Sequence, residues 1–149
     1  MNSSLSKLEE IRSQSGVTRT VGLSNEIISR FCETDSLLVA AIDEAHDSFR
    51  TLREEMGHET LCLEEQELLD YVQEDYVNFY PAACINPYVA LAARGPWIIS
   101  SKGAVIHDNG GYGRLGMGHG PADVIHTMSK NWVMANVMTP SFSQKRLAN

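Results

Sequence analysis

Three cysteines in 149 residues, odd in number and without a CxxC pair, are too few and too scattered for a disulfide framework or a zinc motif. Cys32, Cys62 and Cys84 are therefore expected as reduced, buried thiols. Positive charge is also scarce. Twelve Lys and Arg stand against 19 Asp and Glu, a net charge of −7, which argues against a broad cationic face for nucleic acid or a membrane surface. No apolar run is long enough to cross a bilayer. Met1-Asn2-Ser3-Ser4-Leu5 lacks the basic region and apolar stretch of a secretory signal, so a cytoplasmic location is the expectation. There is no GxxxxGK[ST] to cradle a nucleoside triphosphate.

What is present fits one α+β domain: N-terminal helices, a small antiparallel hairpin or sheet, a glycine-rich loop and an amphipathic helix. Residues 1–22 have few large apolar groups and read as a flexible arm that orders only against a partner. Residues 23–79 read as a helical extension. Ser24 caps a short helix running to Phe31, and Thr34-Asp35-Ser36 ends it and caps the next. In that second helix Leu38, Ala41, Ala45, Phe49, Leu52 and Met56 recur at helical spacing, with Gly57 as its C-terminal cap. A third helix spans about 63–77, with Glu64, Glu65 and Glu67 at the positive end of its dipole and Leu68, Leu69, Val72, Tyr76 and Phe79 as its apolar stripe. His46 and His58 lie among carboxylates here, but without recurring ligand spacing, so a solvated acidic face is the expectation.

From residue 80 the texture changes. Pro81, Pro87 and Pro96 rule out one continuous helix and suggest an extended surface connection, with a turn at Asn86-Pro87-Tyr88. Trp97-Ile98-Ile99-Ser100 and Ala104-Val105-Ile106-His107 form a hairpin around Ser101-Lys102-Gly103 and deliver Asp108 and Asn109 to the loop. That loop, residues 110–121, holds six of the chain's 11 glycines. Behind it Val124, Ile125, Met128, Trp132 and Ala135 keep helical spacing from Pro121 to about Asn136, and Thr139-Pro140-Ser141 looks like a further helix start.

Three readings of the loop stand. Gly111-Tyr112-Gly113-Arg114-Leu115-Gly116 is GxGxxG-like and allows a phosphate cradle, but lacks the βαβ context that gives this pattern meaning. The glycines equally serve as a tight connection, with His119 satisfying local backbone. In the third, Gly111 lets a ligand approach the backbone while Tyr112 offers a flat wall and a hydroxyl, and Arg114 a fork that matches a carboxylate.

A glycine turn, an Asp, a Gly-rich loop, Leu-Gly-x-Gly-His-x-Pro, an amphipathic helix and a Thr-Pro phrase follow in that order. The matching pieces are Gly103 to Asp108, Gly110-Gly111-Tyr112, Leu115 to Pro121 and Met138-Thr139-Pro140, preceded by Val89 to Gly95. This order resembles the N-terminal region of class III aminotransferases, the pyridoxal-phosphate family that includes ornithine, acetylornithine, 4-aminobutyrate and lysine ε-transaminases. The resemblance covers residues 78–149. It departs from the family pattern in a shorter interval from Asp108 to His119 and in the His119-Gly120-Pro121 ending. It implies a fold-type I enzyme, a homodimer, and amino-group transfer from an amino acid or ω-amino donor to a 2-oxo acid. It also implies that Tyr112, seven residues before His119, faces substrate.

The family keeps its Schiff-base lysine and the cofactor's phosphate site in a large domain beyond the region matched. Lys7, Lys102, Lys130 and Lys145 read as surface residues. The expectation is an N-terminal fragment of a transaminase, inactive alone and binding no pyridoxal phosphate by itself. The rival reading is a non-catalytic homodimeric interaction module, and a weaker one a small nucleotide-binding protein.

Overall fold

The structure, a computed structural model, describes residues 3–77, 81, 86–109 and 116–130. Two compact units divide the chain after His119. The first contains five helices and a three-stranded sheet among its described residues: α1 (Ser3–Gln14), α2 (Asn25–Cys32), α3 (Ser36–Met56), α4 (His58–Leu61), α5 (Glu65–Gln73), β1 (Ala90–Arg94), β2 (Trp97–Ser100) and β3 (Val105–His107). The second contains α6 (Ala122–Met128).

The helix α3 organises the first unit. Asp35 caps it by accepting from Leu37 N–H at 2.9 Å, and Gly57, at φ 85°, ends it where an L-residue would be strained. Its inward stripe, Leu38, Ala41, Ile42, Ala45 and Phe49, is at most 1% exposed and packs with Ile28, Leu61, Trp97, Ile99 and Val105 in one core. Truncating Phe49 there would cost about 3–5 kcal/mol. On the sheet side, Arg94 of β1 donates from Nε to both carboxylate oxygens of Glu44, each at 2.9 Å, and that hydrogen bond raises the guanidinium pKa.

The arm expected at residues 1–22 is corrected by α1. Leu5, Leu8 and Ile11 recur every third residue; Leu8 and Ile11 are fully buried and Leu5 packs against the core. Lys7 Nζ donates to Asp43 at 2.9 Å, and His46 Nε2 lies 2.9 Å from Glu10 Oε2, so α1 is tied along α3. Three apolar residues suffice because a long helix is already there to receive them. Helices and strands of this unit share one core.

The third helix, expected at about 63–77, is α5, Glu65–Gln73. The short α4 precedes α5, which Glu64 and Glu67 open with a reciprocal capping box and which ends at Gln73. Its stripe is shorter than the sequence suggests: Leu68 and Leu69 are buried, whereas Tyr76 lies past the helix and is 77% exposed. Phe79 lies outside the described residues.

The hairpin forms as expected, with β2 and β3 antiparallel in the register Trp97↔His107, Ile98↔Ile106 and Ile99↔Val105. Its turn is closed by Gly103 N–H to Ser100 O at 2.9 Å, with Gly103 at φ 71°. The sheet has a third strand that the sequence reading leaves as an approach segment. This β1 pairs antiparallel with β2, bulged between Ala90 and Ala92, and Leu91 and Ala92 both reach the core. Alanine-rich and short, it carries little β signal.

In the second unit α6 ends with Ser129 as its C-cap, and Ile125 and Met128 are 50% and 67% exposed. The positions from Trp132 to Asn136 and the Thr139-Pro140-Ser141 phrase lie outside the described residues. No described helix is long and apolar enough to cross a membrane.

Candidate functional site

The candidate site is the base of the glycine-rich loop. Tyr112, Gly111 and Arg114, the residues the sequence points to, lie outside the described residues; the loop's two flanks are described. On the incoming side β3 ends at His107, and Asp108 N–H donates to Pro96 O at 2.7 Å. On the returning side His119 and Gly95 exchange both backbone hydrogen bonds, at 2.8 and 2.9 Å, as an isolated antiparallel bridge. This puts His119 Nε2 2.9 Å from Asp108 Oδ2, with the Asp108 side chain only 11% exposed. The two ends of the loop segment are therefore joined by a backbone bridge and a side-chain pair.

Glycine makes that closure sterically possible. Gly118 has φ 71°, and a Cβ on it would lie 2.8 Å from Gly95 Cα. Gly95 itself has φ 54°, with Leu37 Cδ1 2.7 Å from where its Cβ would be.

Beneath the base, Trp97 provides a rigid floor. It is 1% exposed, meets Phe31 and His107 edge-to-face at centroid distances of 5.0 and 4.8 Å, and donates from Nε1 to Asp35 Oδ2 at 2.8 Å. Asp35 thus caps α3 with one oxygen and fixes the indole with the other. His107 Nδ1 lies 2.5 Å from Asn109 Oδ1 on the exposed side. Chemically, the base offers an oriented imidazole–carboxylate pair.

The opposite end of the hairpin corrects the expectation for Lys102. Rather than lying on the surface, it is 2% exposed, and its Nζ donates to the carbonyls of Ser15, Leu61 and Leu63, the Leu61 bond at 2.8 Å. These carbonyls end α1 and α4, where helix dipoles favour a cation. Burial pushes the amine below its ordinary pKa, with Cys62, Glu65 and Glu64 pulling it back up. A lone Lys beside a turn glycine carries no sequence signal for this; it becomes visible only once α1 and α4 end against the turn.

Glu65 was also missed. Instead of only facing the helix dipole it is 1% exposed, and its Oε2 accepts from Arg19 N–H at 2.7 Å and Thr20 N–H at 2.6 Å. Lys7, by contrast, is a partly exposed partner of Asp43. Cys32 and Cys62 are half-buried free thiols rather than fully buried ones; burial pushes the Cys32 thiol up, and Cys84 lies outside the described residues. His46 pairs with Glu10, and His58 Nε2 lies 3.4 Å from Cys62 Sγ. Among the described residues no three His, Cys, Asp or Glu side chains gather as a metal site would need.

Comparisons with protein-family models, curated proteins and solved structures find no match to the chain.

Proposed function

We propose that the chain forms the N-terminal part of a cytoplasmic, homodimeric class III aminotransferase, contributing one wall of its substrate site. The reaction is transfer of an amino group from an amino acid or ω-amino donor to a 2-oxo acid. The observation that carries this reading is the ordered run from Gly103 to Pro140. The joined loop flanks at Asp108 and His119 support it, because a wall that meets substrate must be held at both ends. In this reading Gly111 admits close backbone approach, Tyr112 stacks on and hydrogen-bonds the substrate, and Arg114 takes a carboxylate.

Pyridoxal phosphate, when bound to such an enzyme, supplies an electron sink for the substrate's α-carbon. The described residues do not fit that cofactor. Lys102 is desolvated as a Schiff-base lysine must be, yet its ammonium is directed at three carbonyls, and Lys7 is ion-paired. No step is therefore assigned to Lys7 or Lys102, and the 149 residues alone are not expected to transaminate. Titration with pyridoxal phosphate should give no aldimine absorbance that amino acid discharges; such a band would overturn that expectation.

The family reading is tested by the coding sequence after residue 149. A helix start suited to phosphate, followed by a later lysine in a strand-to-loop setting, is expected. A stop codon directly after residue 149 in the native gene would contradict it.

One observation favours the rival, a non-catalytic homodimeric module. Ile27, Phe31 and Leu37 are 38–46% exposed around α2, where Ile27, Arg30 and Phe31 border an open groove of about 550 Å³. Sedimentation of a defined oligomer with no preference for amino or oxo acids would support that module over the enzyme.

A further inference from the structure

Residues 16–23 form a strap with neither helix nor strand, yet it is fastened at several points. Glu65 accepts from the N–H groups of Arg19 and Thr20, and Leu23 N–H donates to Val105 O at 2.8 Å. Gly22 lies so near the hairpin that a Cβ would sit 2.7 Å from Val105 N. Between strap and turn lies an open cleft of about 310 Å³. Its wall carries three of the chain's 12 Lys and Arg, namely Arg12, Arg19 and Lys102, together with Thr18 and Thr20, and no acidic side chain.

Unused donors line this wall. Arg12 donates from Nε to Gly103 O at 3.0 Å and from Nη1 to Asn25 Oδ1 at 2.7 Å, which leaves Nη2 without a hydrogen bond among the described residues. Arg19 meets Glu64 through Nε at 2.6 Å, and its two terminal nitrogens have no such partner. The Thr20 backbone is engaged, while its hydroxyl has no hydrogen bond among the described residues. Lys102 adds charge but no free N–H, because its ammonium is already held by carbonyls. Glu9, Glu64 and Glu65 interact with these groups, but none lines the cleft.

We propose that this cleft binds a small oxyanion, phosphate or carboxylate, between Arg12 Nη2, the Arg19 guanidinium and the Thr20 hydroxyl. Guanidinium forks match the planar or tetrahedral edge of such an anion, and two arginines line this cleft together with Lys102. The chain's overall negative charge does not forbid this. At physiological ionic strength charges beyond about 8 Å are largely screened, so the balance is set locally, between the three cations of the wall and Glu9, Glu64 and Glu65, which meet Arg12, Arg19 and the strap backbone without lining the cleft. The site stands apart from the glycine-rich loop, and its test is independent of the aminotransferase reading.

The experiment titrates inorganic phosphate, and separately succinate, into the 149-residue chain at ionic strength held constant with sodium chloride, following backbone amide chemical shifts. Saturable shifts at Thr20, Gly22 and Ala104, with a dissociation constant on the order of millimolar, are expected for at least one of the two. Saturation by phosphate alone assigns a phosphoryl ligand, and saturation by succinate alone a carboxylate. Arg19→Ala, whose side chain is bonded only to Glu64 among the described residues, should weaken binding about tenfold. Thr20→Val should weaken it about threefold and guards against a folding defect in the first variant. No saturation with either anion, or undiminished affinity in both variants, overturns the proposal.

Discussion

The two ends of one hairpin have opposite settings. At the turn, Ser101 and Lys102 are each 2% exposed, and the chain is clamped between the ends of α1 and α4. At the other end, His107 and Asn109 face solvent, and among the described residues a two-bond backbone bridge and the Asp108–His119 pair join the return of the chain to the hairpin. Nothing in β2 or β3 themselves distinguishes the ends; what differs is which helices stop against them. A turn that helix termini cap becomes part of the core. The other end rests on α2 and α3 through Trp97 while His107 and Asn109 face solvent, and exposed connections of this kind are where binding residues collect.

The sharpest way to break this contrast is Lys102→Met. It leaves the carbonyls of Ser15, Leu61 and Leu63 without their donor in a dry setting, so urea unfolding should show a loss of about 3 kcal/mol. A loss under about 1 kcal/mol would make the turn no more structural than an exposed ion pair. Gly118→Ala attacks the other end. With φ at 71° and Gly95 backbone in the way, it should cost about 1–3 kcal/mol, or else open the Gly95–His119 bridge, which the two amide shifts would report.

Trp97→Phe sharpens the comparison because Trp97 is buried although it lies at the open end. Losing the indole donor to Asp35 should cost about 1 kcal/mol by urea unfolding, with α3 still capped through Leu37. His119→Ala removes a partly exposed pair with Asp108 and should cost less than about 1 kcal/mol in the same measurement.

The smallest effect expected lies away from the hairpin. A hydrogen bond from His46 holds the Glu10 carboxyl below its ordinary pKa of 4.5. The stability this adds is present above 4.5 and fades as pH falls through the lowered folded-state value. Glu10→Gln should therefore lower thermal stability slightly at neutral pH, and its difference from the parent should vanish as pH falls through the lowered value.

Much of the fold was legible because local signals agreed with the packing. Ser24 and Asp35 cap their helices, Gly57 and Gly103 take positive φ where a C-cap and a turn require it, and the apolar spacing of α3 matches its buried face. Where the sequence misled, a neighbour decided the outcome. The three apolar residues of α1 are too few to predict a helix in isolation, yet α3 receives them. β1 is mostly alanine, and β2 supplies the partner that makes it a strand. Lys102 and Glu65 carry surface-type side chains, and only the meeting of distant segments turns them inward. Of the candidate site the structure shows that the loop's flanks at Asp108 and His119 meet; the roles of Gly111, Tyr112 and Arg114 rest on the sequence pattern alone.

Native-state hydrogen exchange of the unmodified chain compares the two ends directly. The account expects the Gly103 and Ala104 amides, bonded to Ser100 at the clamped turn, to exchange only through global unfolding, and the Gly95 and His119 amides to exchange through a smaller local opening. Equal protection at both ends, or a turn that opens first, would contradict it.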